Sequence, residues 1–174
     1  MAPPLSGMAA GAGAQGADMY LHVQAKRAGK IKGESVSPNH VDDIVVRGWG
    51  WGVQASTAMG STEATSRRTY TALTVTKQVD CASTALMKAL VTNDEIKEAV
   101  LTLRRTGGDH EAFFTIRLKS ARVTSVEHQA GGDGGVVEVI ALSFTDIEVE
   151  YRRQQASGIR GGSYTFTDEL PSAG

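Results

Sequence analysis

Apolar and polar residues alternate along most of this chain, and the alternation predicts strands. Between Met19 and Lys26, Leu21, Val23 and Ala25 interleave with Tyr20, His22, Gln24 and Lys26, the period-two pattern of a half-buried strand. Residues 68–78 repeat it: Leu73, Val75 and Lys77 fall opposite Tyr70, Ala72, Thr74 and Thr76, and β-branched residues favour the extended form. Ala99, Leu101 and Leu103 against Val100, Thr102 and Arg104 predict another strand over residues 99–105. Residues 112–126 form a long one, with Phe114, Ile116 and Leu118 in one row and Ala121, Val123 and Ser125 in a row displaced by one residue. Residues 136–151 change parity as well. Val136, Ile140, Leu142 and Phe144 share one face and Ile147, Val149 and Tyr151 the other, which predicts a bulge or bend near Thr145-Asp146.

One segment has the helical period instead. Ala85, Leu86, Ala89 and Leu90 share a face, Lys88 and Thr92 face away, and Thr92-Asn93-Asp94 ends the run. Asp80 or Ser83 is placed to cap its start by accepting a bond from a free backbone N–H. About ten residues cannot hold a helix alone in water, so this face must dock on a sheet or plug a barrel end. Between the periodic segments lie turn signals: residues 29–38, a polar loop over 35–43 with Pro38 and Asn39 at its apex, a small polar stretch over 55–66, Thr106-Gly107-Gly108-Asp109, and the Gly-rich turn 130–135. The tail from Gln154 is looser, with room for one short strand at residues 163–167.

The segment Ile44–Val53, Ile-Val-Val-Arg-Gly-Trp-Gly-Trp-Gly-Val, holds both tryptophans of the chain. As one continuous strand it would put Val45, Arg47, Trp49, Trp51 and Val53 on one face, and Ile44, Val46, Gly48, Gly50 and Gly52 on the other. Three strand glycines cost about 2–3 kcal/mol relative to alanine. A buried tryptophan contributes about 4–6 kcal/mol as an upper bound and outweighs them. A face stripped to backbone invites close packing by a neighbouring element or subunit.

Long strands, hairpin glycines and one short helix predict a mainly β fold, a small antiparallel β-barrel with one short α-helix. The chain divides into a flexible Gly/Ala-rich arm over 1–18, one β domain over 19–155 and a C-terminal tail over 156–174. A chain of 174 residues suits a single core. The formal net charge of −1 argues against a nucleic-acid binder, and Arg67-Arg68, Arg104-Arg105 and Arg152-Arg153 read as solvated strand ends. No apolar run reaches the roughly 20 residues of a membrane span. The single Cys81 excludes an intrachain disulfide framework and points to a reducing compartment. The arm lacks a basic n-region and an apolar core, so it does not read as a cleaved signal peptide.

Candidate chemistry is sparse. Cys81 has no histidine within a dozen residues; a helix start can lower a thiol pKa, but a small structural residue is the better reading. His22, His40, His110 and His128 have no ligand spacing and read as scattered surface residues, and CxxC is absent, so neither metal nor cofactor is expected. Gly48-x-Gly50-x-Gly52 is not the GxGxxG of a phosphate-binding turn. Gly131-Gly132-Asp133-Gly134-Gly135 is a hairpin turn before it is a calcium repeat. Asp168-Glu169 lacks a partner carboxylate on a rigid element. No catalytic residue is expected, and the chain does not read as an enzyme.

The order of several motifs carries more than any one of them. Tyr20-Leu21-His22-Val23, Lys32-Gly33-Glu34-Ser35 followed by His40, the Trp-Gly-Val end of the 44–53 strand, Thr76-Lys77-Gln78-Val79-Asp80-Cys81-Ala82-Ser83 with Leu86, and Glu138–Phe144 through Ile147–Tyr151 follow one another. In that order they resemble the haemolysin-coregulated protein (Hcp) family, the inner-tube subunit of the bacterial type VI secretion system, over residues 19–155. Thr84 departs from the family, which commonly has proline there, and the N-terminal arm is longer than usual. The resemblance implies hexameric rings stacked into a hollow tube. A contractile sheath would propel that tube, behind a spike or tip protein, out of the bacterial cytoplasm, with effectors carried or chaperoned. It implies neither nucleic acid nor membrane insertion among the partners, and no cofactor. In that setting the exposed loop, with Ser37, Asn39, His40, Asp42 and Asp43, is expected to make the ring-to-ring contact. Gly48, Trp49, Gly50, Trp51 and Gly52 form the expected packing strand. Two alternatives stay open: the tail-tube protein of a phage-like or extracellular injection particle, and a β-barrel hydrolase or sugar-binding module.

Overall fold

A computed structural model of the chain describes residues 17–55, 68–105, 111–154 and 160–171. Its elements in chain order are β1 (Ala17–Ala25), β2 (Gly29–Ile31), β3 (Ile44–Val46), β4 (Gly48–Gly50), β5 (Val53–Ala55), β6 (Arg68–Tyr70), β7 (Leu73–Gln78), α1 (Ser83–Val91), β8 (Ile96–Arg105), β9 (Ala112–Ala130), β10 (Val136–Ser143), β11 (Asp146–Gln154) and β12 (Arg160–Glu169). Ten strands make one antiparallel sheet, and β5 and β6 pair apart from it. In the first half of the sheet, β1 pairs β2, β3 and β8, and the ladder continues through β9 and β11 to β12. The second half runs β9, β10, β7, β4.

β9 belongs to both halves, because its residues up to Ala121 pair β8 and those from Arg122 pair β10. It turns at Ser120, whose φ of 48° is uncommon for a residue with a Cβ. This is the predicted displacement between Leu118 and Ala121. The parity change expected near Thr145 is the second corner: β10 ends in the second half and β11 begins in the first. Inner faces of both halves then share one core. A row Leu21–Leu101–Ile116–Val149 crosses the first half, and Trp49–Val75–Ile140–Val126 crosses the second.

The mainly β class with one helix holds, but the sheet is not closed into a barrel. Its hydrogen-bonded path ends at β2 and β4. Residues 44–50 cross the open side and change partner on the way: Ile44–Val46 pairs β1, Gly48–Gly50 pairs β7, and Arg47 N donates to Thr76 O at 2.8 Å. No strand there pairs both neighbours along its length, so the ring of hydrogen bonds stays open.

That change of partner also overturns the single-face reading of the tryptophan segment. Ile44 and Val46 are buried and Val45 is 47% exposed, as the alternation requires. Past Arg47 the parity reverses. Trp49 now stands beside Val75 on the inner face and stacks on Phe114 at 5.8 Å, while Trp51 stacks on Tyr70 at 6.0 Å.

α1 buries Ser83, Leu86 and Ala89 against β9. Its cap differs from expectation, since Ala82 holds the N-cap position and no side chain caps the first amides. Asp80 and Ser83 instead tie the preceding turn: Ala82 N donates to Asp80 Oδ1 at 2.9 Å, and Asp80 N to Ser83 Oγ at 3.0 Å. The tail is more ordered than its composition suggested. The short strand expected at 163–167 is part of ten-residue β12, fastened where Asp168 accepts bonds from the Arg68 guanidinium and from Tyr70 Oη. β1 begins at Ala17, slightly before the expected boundary. The Thr106–Asp109 turn, residues 56–66 of the polar stretch, and residues 1–16 of the arm lie outside the described residues.

Candidate assembly site

The loop over residues 32–43 lies on the outer face of β1 and is held along its length. Gly33 N donates to Asp42 O (2.8 Å), Ser35 N to Asp43 O (3.0 Å) and Asp42 N to Ser35 O (2.9 Å), so the two arms of the loop pair with each other. Only glycine fits at position 33, where a Cβ would strike the Asp43 carbonyl. Asn39 and Asp42 take φ of 68° and 61°, the left-handed region that short polar side chains tolerate best after glycine.

Asp43 is the hub. It is 5% exposed, and its carboxylate meets three side chains: His22 Nδ1 and Lys30 Nζ at Oδ1, and His40 Nδ1 at Oδ2, each at 3.1 Å. Burial alone would raise the Asp43 pKa, but the hydrogen bonds from Lys30, His40 and His22 outweigh it and hold the carboxyl below its ordinary value. The other end of the loop is pinned by Arg104, which donates to Ser37 Oγ and, at 3.1 Å, to Tyr20 Oη. Tyr20 in turn stacks on His40 with ring centroids 4.5 Å apart.

All five loop residues singled out from sequence therefore sit on one feature, in unequal roles. Asn39 is exposed, Ser37, His40 and Asp42 are half-buried, and Asp43 faces inward. Val36 on the same loop is 90% exposed, the most open of the large apolar side chains described. Sequence reasoning missed Tyr20, His22, Lys30 and Arg104 as parts of this site. Its reading of His22 and His40 as scattered surface residues is corrected, because both converge on one carboxylate. His128 meets Glu138 (below), and His110 lies outside the described residues.

The glycine strand forms a second surface. Gly48, Gly50 and Gly52 face Thr76, Thr74 and Thr71, and a Cβ added at any of them would touch only those threonine side chains at 3.7–3.9 Å. Among the described residues no further element crowds this face. Cross-strand rows continue it as Gly48–Thr76–Val139–Glu127 and Gly50–Thr74–Ala141–Ser125, small beside the glycines and with the Glu127 carboxylate at the far edge. The outer face of the first half contrasts with it, carrying Glu98, Arg117, Lys119, Asp146, Glu148 and Glu169.

On the inner face of the second half, one row is polar. Lys77, Glu138 and His128 stand in register on β7, β10 and β9. Lys77 and Glu138 are fully buried, with Lys77 Nζ 2.5 Å from Glu138 Oε1 and 2.9 Å from Asp80 Oδ1. Lys77 also donates to Ser83 Oγ (3.2 Å), Ser83 Oγ donates to Glu138 Oε1 (3.1 Å), and His128 Nε2 lies 2.5 Å from Glu138 Oε2. Burial pushes the Glu138 pKa up, but Lys77, His128 and Ser83 together hold it below its ordinary value. The row locks the start of α1 to the sheet, with Lys77 and Glu138 sealed inside and His128 reaching the surface. Cys81 nearby is exposed, its Sγ 3.2 Å from Lys32 O. Its pKa is raised, first by desolvation and then by the Glu34 and Asp80 carboxylates, so the helix start does not activate this thiol. Among the described residues no group of three or more His, Cys, Asp and Glu is arranged to hold a metal, and no helix is long and apolar enough to cross a membrane.

Residues 20–151 match the family described as "Type VI secretion system effector, Hcp". Protein hcp1 of Pseudomonas aeruginosa is 32% identical over 151 residues, covering 83% of this chain and 89% of that protein. The chain belongs to the Hcp family. A solved type six secretion system protein superposes with a TM-score of 0.80 at 27% identity, covering 89% of this chain and 96% of that one. Hcp1 from Salmonella typhimurium has the same fold, with a TM-score of 0.71 at 22% identity over 88% of this chain and 95% of that one. As an Hcp protein this chain is a structural tube component of the type VI secretion system and not an enzyme, and proteins of the family are secreted by that machine. The motifs that carried the resemblance take physical form here. Lys77, Asp80, Ser83 and Glu138 build the buried row, and Gly33, Glu34, Ser35 and His40 build the loop.

Proposed function

We propose that this Hcp chain forms six-membered rings that stack into a hollow tube, with the loop over residues 36–43 making the ring-to-ring contact. The observation that carries this reading is that the loop is set before any partner arrives. Asp43 and Arg104 hold both its ends, so little chain entropy remains to be lost on docking. Asn39 and Val36 supply the contact, while Asp42 and Asp43 shape it. Neighbours within a ring meet at the ledge of β11 and β12. There the inner apolar face runs beyond the core and leaves Tyr151, Tyr164 and Phe166 40–62% exposed, more aromatic surface than an isolated subunit needs to show. The small-residue face around Gly48, Gly50 and Gly52 lines the lumen, with Glu127 at its far edge. Sheath and spike are the further partners, and the subunit waits in the bacterial cytoplasm, without a cleaved signal, until the machine expels it together with its effectors.

Light scattering of the purified protein at high concentration tests the ring. Six copies are expected, and a species that stays monomeric would overturn the reading. An extracellular injection particle would use the same ring, and sheath and spike genes beside this one, with or without those of a membrane complex, separate the two machines.

A further inference from the structure

We propose that a bound proton latches the start of α1 to the sheet: His128, held as an imidazolium against Glu138, completes the charge of the buried row, and mild alkali releases it. Lys77 Nζ has three hydrogens to give and gives all of them, to Glu138 Oε1, Asp80 Oδ1 and Ser83 Oγ. It is therefore an ammonium, and one ammonium serves two carboxylates. Burial would raise the Glu138 pKa, but Lys77, His128 and Ser83 hold it below its ordinary value, so this carboxyl is ionised at neutral pH. Ala82 N donates to Asp80 at 2.9 Å, and the free amides at the start of α1 offset that charge by about half at most. With a neutral imidazole the row would keep an excess negative charge around Lys77 and Glu138, both sealed from solvent. An unbalanced ion there is costly. His128 Nε2, 2.5 Å from Glu138 Oε2, is placed to supply the missing cation.

His128 is also the member of the row that meets water. Its side chain is 40% exposed, against 9% for Asp80 and none for Lys77 and Glu138, so it can exchange a proton that the ions behind it cannot. Glu138 from β10, Lys77 from β7 and Asp80 from the turn before α1 are the charged groups gathered on this side. Glu127, its neighbour on β9, belongs to the opposite face, and Lys88 lies in the last turn of α1, away from the row. A proton that the folded row holds and the unfolded chain does not hold adds stability while bound and withdraws it as rising pH removes it. The helix is nine residues long, too short to persist undocked, and Lys77, Asp80 and Ser83 fasten its first turn. Loss of the proton therefore frees the helix start before the strands open. The Asp43 cluster has no such need, since Lys30 balances its single carboxylate. The latch acts within one subunit, however subunits assemble.

Nuclear magnetic resonance of protein with isotopically labelled histidine rings reads the latch directly, the His128 signals being assigned by their loss in His128→Gln. At about pH 7.5, where a free imidazole is mostly neutral, both ring nitrogens of His128 are expected to carry hydrogen. Asp80→Asn keeps the Oδ1 acceptor and removes one negative charge, so its His128 ring should be neutral at the same pH. Amide exchange in residues 83–91, corrected for its intrinsic rise with pH, should quicken about tenfold between about pH 7 and 9 in the parent. It should stay flat in Asp80→Asn and in His128→Lys, where the cation is permanent. A neutral His128 ring in the parent overturns the proposal. So does a charged ring that persists in Asp80→Asn, because Glu138 alone would then hold the proton, and so does flat exchange in the parent. Should Asp80→Asn fail to fold, His128→Lys decides the matter: exchange that still quickens with pH in that variant overturns the latch.

Discussion

Two of the buried carboxylates, Asp43 and Glu138, do different work with the same chemistry. Glu138 is sealed inside, paired with a Lys77 that is equally inaccessible, and its other contacts are Ser83 and His128. Asp43 lies just under the surface, and each of its partners, His22, Lys30 and His40, keeps some contact with solvent. An ion inside a low-dielectric core is costly without its counter-ion, so the Glu138 cluster holds the fold as a whole. The Asp43 cluster can be loosened with little consequence beyond its own loop. One carboxylate secures the subunit and the other secures the surface by which subunits are proposed to meet.

The contrast is sharpest in stability. Lys77→Met strands the Glu138 charge and is expected to cost about 3–5 kcal/mol, with much of that recovered when Glu138→Leu is added. Urea unfolding of the two variants measures both. Asp43→Asn keeps the size and loses the charge, and should cost less, about 1–3 kcal/mol. Its hydrogen exchange should quicken in residues 33–43 while the strands stay protected. If Asp43→Asn destabilises the strands as much as Lys77→Met does, the two clusters are one system and the comparison fails.

Acid separates them next. Both carboxyls have folded pKa values below their ordinary ones, so their contribution is complete above the unfolded values of about 4 and is lost as pH falls through the lower folded values. Melting temperature should therefore be insensitive to these groups between pH 7 and about 5 and drop below about 4. The drop should be shallower in Lys77→Met/Glu138→Leu than in the parent. The smallest effect on stability belongs to Val36→Asp, within about 0.5 kcal/mol by thermal melting, because the side chain touches nothing that folds. The same variant should abolish ring stacking seen by negative stain, since it places a charge where an apolar contact is proposed.

How far the sequence foretells these regions differs for a physical reason. Parity alone put Lys77 in one row with Leu73 and Val75, which is where it stands. The corners at Ser120 and Thr145 showed as breaks in the same alternation. Local pattern reports such things because the side-chain period of a strand is two. It does not report which strand lies beside which. The Asp43 cluster joins β1, β2, β8 and the loop, so His22 and His40 looked scattered until the fold placed both on one carboxylate. The tryptophan segment misled for a related reason: its partner changes at Arg47, and the parity reversal there leaves no mark in the alternation of residue types. Asp168 found Arg68 and Tyr70 only through the pairing of β12.

Imaging the concentrated, unmodified protein by cryo-electron microscopy tests the central claim most directly, that the pinned loop is the stacking surface of a ring-forming subunit. The account predicts rings of six stacked end to end, with residues 36–41 in the joint between rings and Asp43 still buried among His22, Lys30 and His40. Stacked rings whose joints exclude this loop, or a loop rearranged away from Asp43 within the joint, would contradict it.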